Sequence, residues 1–553
     1  MKKEKKKQIL TGILFYIFPA VVFLVMIWRC QMGFPLDEDH YIAEMKRLLQ
    51  GDLYILEDWT YYQTAFTTMA PIYALWRCFM ASDEGVILFF RYLFIAVQIS
   101  AYYGAVLLIK RKYADYRSSF LILPLINLVF VPWQMNALSY YSVSPMLMEF
   151  ILILMFQDRP RRRDMVALGI LYSALILNVP YMLAAYPCLL LWVVVKMTAG
   201  KEKRKKILTY FGIFTLTCML LGSVFLLPVL LFGGPKELIY ALRQIIDDPD
   251  HVYELSDKLI GFLRLFRGVS RYFPTMPFYG ILLLAAMLNK KFKKAPADAL
   301  IRLGAFVLLI VDAYIVFFLV SDTIQYYFFG LFLYSLVLLA LQKNYSEKQW
   351  LSLGVSVLYC FACYMGSNTG SRSIAFGISV FAGVMLSVPN EISGPFLEHE
   401  IRNNVIKWVP VLFSVLVLFA GRVGLVWYDG NLENITCIIK DGPCRGIRTS
   451  QEHYDAYYRL YGAMRELDQD GSILLLQSDM TMALLMTDGE NCCWATSYFG
   501  TLNVKQQLRY MEFMKNKDPD YVIGYITNED LIDALKISPG FEKAEFVIIP
   551  EAP

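Results

Sequence analysis

The stretch Phe34-Pro35-Leu36-Asp37-Glu38-Asp39-His40-Tyr41 places three carboxylates and one of the chain's four histidines on consecutive positions. A partly desolvated carboxylate can act as a general base, taking a proton from an attacking hydroxyl, while a second carboxylate holds or orients the first. The competing reading is local. Acidic side chains favour the amino end of a helix, and Asp37 to His40 precede a stretch with helical spacing, so they can simply cap it. Position gives the cluster its interest: it follows the first long apolar run, and charge against a bilayer is costly enough to suggest function.

The elements that must position this cluster are predicted to be membrane helices. Of 553 residues, 57% are hydrophobic and only 18% are charged, and the mean hydropathy is +0.45. A soluble chain carries roughly a quarter charged residues, so a soluble enzyme is excluded. The net charge of +4 says little, because the basic residues concentrate in particular loops. No nucleic-acid partner is expected. The amino end, Met1 to Lys7, is lysine-rich and predicted cytoplasmic; the run Ile9 to Trp28 has no cleavage site after it and is predicted to remain as the first span.

Apolar runs follow at Val86–Ile109, Ser118–Trp133, Tyr140–Phe156, Ile207–Phe232, Pro274–Leu288, Leu303–Val320, Tyr326–Leu341, Trp350–Gly366, Ile374–Val388 and Trp408–Trp427. Met165–Met197 is too long for one crossing and carries the turn signal Asn178-Val179-Pro180, which predicts a hairpin of two short helices. With every basic loop on one side, the count is about thirteen spans, amino end inside and carboxyl end outside. The fold class is therefore an α-helical polytopic membrane protein, multi-pass in the cell membrane, with a small extracytoplasmic α/β domain at its end. The expected division is residues 1–427 as the membrane domain, with outer loops at about 29–85 and 233–273, and 428–553 as the outer domain. In that domain Ser472–Gln477, Tyr521–Tyr525 and Phe546–Ile549 read as strands alternating with helical stretches such as His453–Leu467 and Val504–Lys515.

In the first outer loop, Tyr41–Leu49 predicts a helix lying along the interface and Ile72–Met80 a second one, begun by Pro71. In the second, Arg264, Arg267 and Arg271 recur at helical spacing and suit either a lipid phosphate or anionic head groups. Asp247-Asp248-Pro249-Asp250-His251 has metal-ligand types but also reads as a solvated loop, and Ser367–Arg372 is a polar turn. Glu149 and Asp312 fall inside apolar spans and can line a cavity or pair with Arg91. Of ten cysteines, Cys360 and Cys363 read as packing; a Cys437–Cys444 bridge is open if the outer domain meets an oxidising compartment.

The order first span, Asp37-Glu38, a helix with Tyr41, Leu48-Leu49, Gly51-Asp52, then Trp59, Gln63 and Pro71-Ile72-Tyr73 resembles the first outer loop of the GT-C class. These are polyprenyl-phosphate-dependent membrane glycosyltransferases, among them protein O-mannosyltransferases and the lipid A aminoarabinose transferase. The resemblance implies that Asp37, with Glu38, is catalytic and that Arg91 matches the basic residue of the next span. The candidate substrate contacts are Asp39, His40, Tyr41, Gln63, Arg91, Arg267 and Arg271. The implied donor is a sugar on polyprenyl phosphate held among membrane lipid, and the acceptor an extracytoplasmic glycan, lipid or protein. No cofactor is required and a divalent metal remains compatible. One departure stands out: many members carry a second acidic residue in the next outer loop, where this chain has Trp133-Gln134-Met135-Asn136 and no carboxylate. Asn136 can bind a sugar hydroxyl but cannot be a base, which leaves the division of catalytic labour open. A polyisoprenoid-glycan flippase, or an outer polysaccharide polymerase or ligase, is the alternative, and neither needs Asp37.

Overall fold

A computed structural model describes residues 13–35, 37–112, 121–155, 157, 160–198, 204–247, 255–272, 274–292, 295–320, 324–342, 347–366, 375–391, 401–426, 428–498, 500–515 and 517–550. Helices dominate. In chain order they are α1 (Phe18–Arg29), α2 (Glu38–Gln50), α3 (Ala70–Phe79), α4 (Val86–Lys112), α5 (Ile122–Val129), α6 (Tyr140–Met155) and α7 (Arg162–Asn178). Then come α8 (Ala185–Thr198), α9 (Arg204–Phe232), α10 (Pro235–Ile246), α11 (Leu255–Tyr272), α12 (Met276–Phe292), α13 (Ala295–Ile315) and α14 (Tyr327–Ala340). The helical body closes with α15 (Glu347–Met365), α16 (Ala375–Glu391) and α17 (Ile401–Gly424).

Val86–Lys112, Arg204–Phe232 and Pro296–Leu319 are long and apolar enough to cross a membrane, and further expected spans appear as shorter apolar helices such as Tyr327–Ala340 and Trp408–Gly424. α9 leaves Leu216, Met219, Leu220 and Leu231 exposed, a continuous apolar surface of the kind that lipid covers. The expected hairpin breaks at Asn178, where the chain enters a 3-10 turn at Pro180–Ala184. The run Ser118–Trp133 is shorter than expected: its helix ends at Val129, and Pro132 starts a turn in which Trp133 is left-handed at φ 59°. The expected loop 233–273 is mostly two helices, α10 and α11. The first is amphipathic, with Ala241 buried and Ile239 and Ile246 exposed.

After α17 the chain builds two antiparallel ribbons, β1 (Leu425–Val426) with β2 (Gly430–Asn431) and β3 (Cys437–Ile438) with β4 (Arg448–Thr449). A parallel sheet in the order β5 (Ile473–Leu475), β6 (Tyr521–Tyr525), β7 (Glu545–Ile549) follows. α18 (Gln451–Arg465) precedes β5, while α19 (Val504–Met514) and α20 (Glu529–Lys536) make the crossovers parallel strands require. All three residues of β5 are buried, as a strand covered on both faces demands. Cys437 and Cys444 are free thiols rather than a bridge. Cys437 turns to Gln451, at 3.0 Å, while Cys444 is buried with its Sγ 3.7 Å from the Met482 sulfur.

This α/β unit packs directly on the segment between α1 and α4. Main-chain bonds stitch the two: Gly33 N–H to Arg448 O at 2.9 Å, Trp59 N–H to Trp494 O at 2.8 Å and Gly85 N–H to Gly442 O at 3.0 Å. α2 consequently has no wet face along most of its length. Glu38, Asp39, Glu44, Lys46 and Arg47 are all buried with its apolar residues, so it is an inner layer and not the surface-lying helix its pattern predicts. Its charges survive burial by pairing: Lys46 with Asp83 at 2.9 Å, and Arg47 with Asp52 at 2.6 Å and the Tyr510 hydroxyl at 2.9 Å. Lys517 closes the seam on Asp52 at 2.6 Å. Gly51, left-handed at φ 113°, ends the helix with its N–H on Arg47 O, a conformation that strains any side chain with a Cβ.

Candidate active site

α1 delivers the chain to the turn before α2, and Asp37 is the residue just before the first turn of that helix. Its side chain makes no cap hydrogen bond to the helix amides, so the capping reading does not account for it. It lines a small recess together with Arg29, Phe34, Glu38, Arg91 and Asn136. Glu38 is turned the other way in function. Its Oε2 accepts from Arg91 Nε at 2.6 Å, with side-chain exposures of only 7% and 4%. Burial raises the Glu38 carboxyl's pKa above its ordinary value in spite of the attraction of Arg91.

Two arginines fix the turn by its carbonyls. Arg91 donates to the carbonyls of Cys30 at 3.0 Å, Met32 at 3.3 Å and Gly33 at 2.9 Å. Arg29 donates to Met32 O at 2.6 Å, Leu425 O at 2.9 Å and Val423 O at 3.1 Å, tying the end of α1 to the end of α17. Behind the recess, Arg422 of α17 donates to the Asn136 side-chain oxygen at 3.0 Å and to Leu128 O. Among the described residues no carboxylate pairs with Arg422, and its Nε has no acceptor. Arg29 and Arg91 thus line the recess beside Asp37 and Glu38, with Arg422 behind it through Asn136.

The other predicted residues fall into three groups. Asp39 is buried with Oδ1 unbonded, and burial together with the Asp37 charge pushes its pKa well up. His40 faces the α/β unit instead of the recess. Its Nε2 lies 3.1 Å from Ser478 O and its Nδ1 3.0 Å from Ser497 Oγ, which assigns the proton to Nε2. Burial lowers its pKa, against a raising effect of Asp37. Tyr41 is packed in an aromatic cluster, stacked on Phe66 at 5.3 Å and edge-on to Tyr62 and Tyr140. Gln63 is a brace: it accepts from Ile55 N–H at 2.6 Å and donates to Asp58 O. Ile55 is left-handed at φ 72°, a strained state for a β-branched residue that the brace holds in place. His40, Tyr41 and Gln63 therefore position the site and do not line it.

Arg267 and Arg271 lie on α11, and their side chains are outside the described residues, as are Asp248 to His251 and Ser367 to Arg372. Neither Glu149 nor Asp312 pairs with Arg91. Glu149 accepts from Asn127 at 2.8 Å, and Asp312 accepts from Thr275 at 2.5 Å and Tyr279 at 2.9 Å. Among the described residues no group of three or more His, Cys, Asp or Glu side chains could hold a metal ion. Deeper in the seam, the buried Glu44 carboxyl lies against the Asp58 carboxyl and the Thr60 hydroxyl. Burial first, and the neighbouring Asp58 charge second, push the Glu44 pKa well up. Arg29 and Arg422 went unpredicted, yet Arg422 sits inside an apolar run, where a charged residue is itself the signal. The chain matches no known protein family and no curated protein, so its functional reading rests on this geometry and on the motif order of its first loop.

Proposed function

We propose that the chain is an integral membrane glycosyltransferase of the polyprenyl-phosphate-dependent kind. In this reading it crosses the cell membrane about thirteen times and keeps its α/β unit on the outer side. The observation that carries the proposal is Asp37. It lines the recess at the start of α2 beside Arg29, Arg91 and Asn136, next to Glu38, which Arg91 holds.

An acceptor hydroxyl approaching from outside gives its proton to Asp37 as its oxygen attacks the anomeric carbon of the donor sugar. The bond from that carbon to the phosphate oxygen breaks, its electron pair leaves with the phosphate, and the configuration inverts. A phosphate anion is a weak base and leaves without a strong acid. Arg29 and Arg91 have their donors engaged by carbonyls, so they favour the departing charge through their field more than by direct bonds. In this reading the donor phosphate lies beside Arg29 and Arg91. Asn136, held by Arg422, is oriented to meet a sugar hydroxyl.

The test is transfer of labelled sugar from polyprenyl-phosphate donors by purified protein in lipid, wild type beside Asp37→Asn. Loss of a general base lowers such rates by about 10²- to 10⁴-fold. Equal rates in both proteins would remove Asp37 from the chemistry, and absence of transfer from every donor would favour the flippase.

A further inference from the structure

The last helix hands the chain to a buried carboxylate that no part of the proposed reaction uses. Asp429 lies between β1 and β2 with its side chain fully enclosed. It accepts from Phe34 N–H at 2.8 Å, the Thr449 hydroxyl at 2.9 Å, Ser450 N–H at 3.2 Å and His453 Nδ1 at 2.6 Å. Burial alone would raise its pKa; the bonds from His453, Ser450 and Phe34 outweigh that and pull it down to about 2. Asp429 is therefore ionised, and His453 Nδ1 must carry a proton to bond it.

His453 holds the same residue a second way. Its imidazole stacks on the Phe34 ring at 5.0 Å and 14°. Phe34 is a wall of the recess three positions before Asp37, and the preceding carbonyl, Gly33 O, is bound by Arg91. One segment is thus gripped from the helical body through Gly33 and from the α/β unit through the amide and ring of Phe34. A helix cap explains only part of this. Ser450 Oγ does accept from His453 N–H at 3.4 Å at the start of α18, but a cap has no need of Phe34, nearly 400 residues away in sequence.

We propose that Asp429 and His453 are a positioning pair, supplied by the α/β unit, that holds residues 33–37 so that Asp37 addresses the recess. The activity consequence rests on the transferase reading; the placement of the turn does not. The test uses the full-length chain in lipid with two readouts, sugar transfer and amide hydrogen exchange of residues 30–41. His453→Leu removes the donor and the flat ring. His453→Asn keeps a nitrogen donor at the Nδ1 position, and Asp429→Asn replaces an acceptor oxygen by a donor. Misplacement of a reacting group by about 1 Å costs about 10²-fold in rate. His453→Leu and Asp429→Asn are accordingly expected to lower turnover about 10- to 100-fold with the donor KM unchanged, and to speed exchange at 33–37. His453→Asn is expected to recover most of both.

If exchange loosens at 450–455 alone and 33–37 stays as protected as in the wild type, the pair is only a helix cap and the proposal is overturned. Wild-type transfer that persists undiminished in His453→Leu overturns it too, while leaving the transferase reading intact. Faster exchange at 33–37 in a protein that transfers no sugar would support the positioning pair and sink the transferase. Should Asp429→Asn not fold, the two His453 variants decide alone.

Discussion

Replacing Arg91 by Met keeps an apolar stem of similar reach and removes the guanidinium that organises the turn. The structure sets the scale of the damage. Arg91 is 3% exposed and Glu38 5% exposed, and their contact is 2.6 Å, so the variant strands a buried carboxylate. Breaking a buried pair from one side costs about 3–5 kcal/mol. The freed carbonyls of Cys30 and Gly33 add to this, but Glu38 can escape part of the loss by taking up a proton, which burial already favours. The two corrections oppose each other, so about 3–5 kcal/mol stands as the expectation. Amide exchange over residues 30–41 reads this locally, and each 1.4 kcal/mol is tenfold, so protection is expected to fall by about two to four orders of magnitude. Acidification should ease the defect as Glu38 protonates. Arg91→Met combined with Glu38→Gln should be milder than Arg91→Met alone, because no charge is stranded. A single variant within about 0.5 kcal/mol of the wild type, the range of an ordinary surface change, or a double variant worse than the single, would refute the ion pair as an organising element.

The remaining expectations concern the seam and the thiols. The Glu44 pKa is raised in the folded chain, so its contribution to stability is complete below the ordinary glutamate range and is lost as pH rises through the raised value. Thermal inactivation of the wild type should therefore quicken toward alkaline pH, and Glu44→Gln should flatten that dependence; parallel profiles would show that the Glu44–Asp58 pair holds no proton. Thiol labelling of the intact protein without reductant should include Cys437 and spare buried Cys444. Cys437→Ser should remove one labelled site and change stability by less than about 0.5 kcal/mol. Labelling of Cys437 only after reduction would restore the bridge.

Local signals in the sequence carried local structure well. Pro71 at the start of α3, the apolar spacing of α2 and the short apolar runs of β5, β6 and β7 each report the chain's own geometry within a few residues. Partners were a different matter. Arg91 is bonded to Glu38, 53 positions away, and the sequence offered Glu149 and Asp312 as equally good candidates, because charge type says nothing about which carboxylate the fold brings near. The same blindness made His40 and Gln63 look like ligands of a substrate. Their polar atoms were visible, but the acceptors that satisfy them, Ser478 O and Asp58 O, are main-chain atoms with no sequence signature. The charged side of α2 resembled a solvated face for the same reason: Asp83, Asp488 and Tyr510, which neutralise or cover it, arrive from elsewhere in the chain.

The grip on Phe34 also sets an order of assembly. Its amide and ring bind Asp429 and His453, and Gly33 bonds Arg448, so these contacts form only after about four hundred further residues have been made. Until then the acidic turn has Arg91 on one side and no α/β unit on the other. Contacts of such sequence separation close late. In the proposed transferase, a nascent chain would therefore carry Asp37 before its alignment is in place, and would become competent only when the α/β unit folds back onto the first loop.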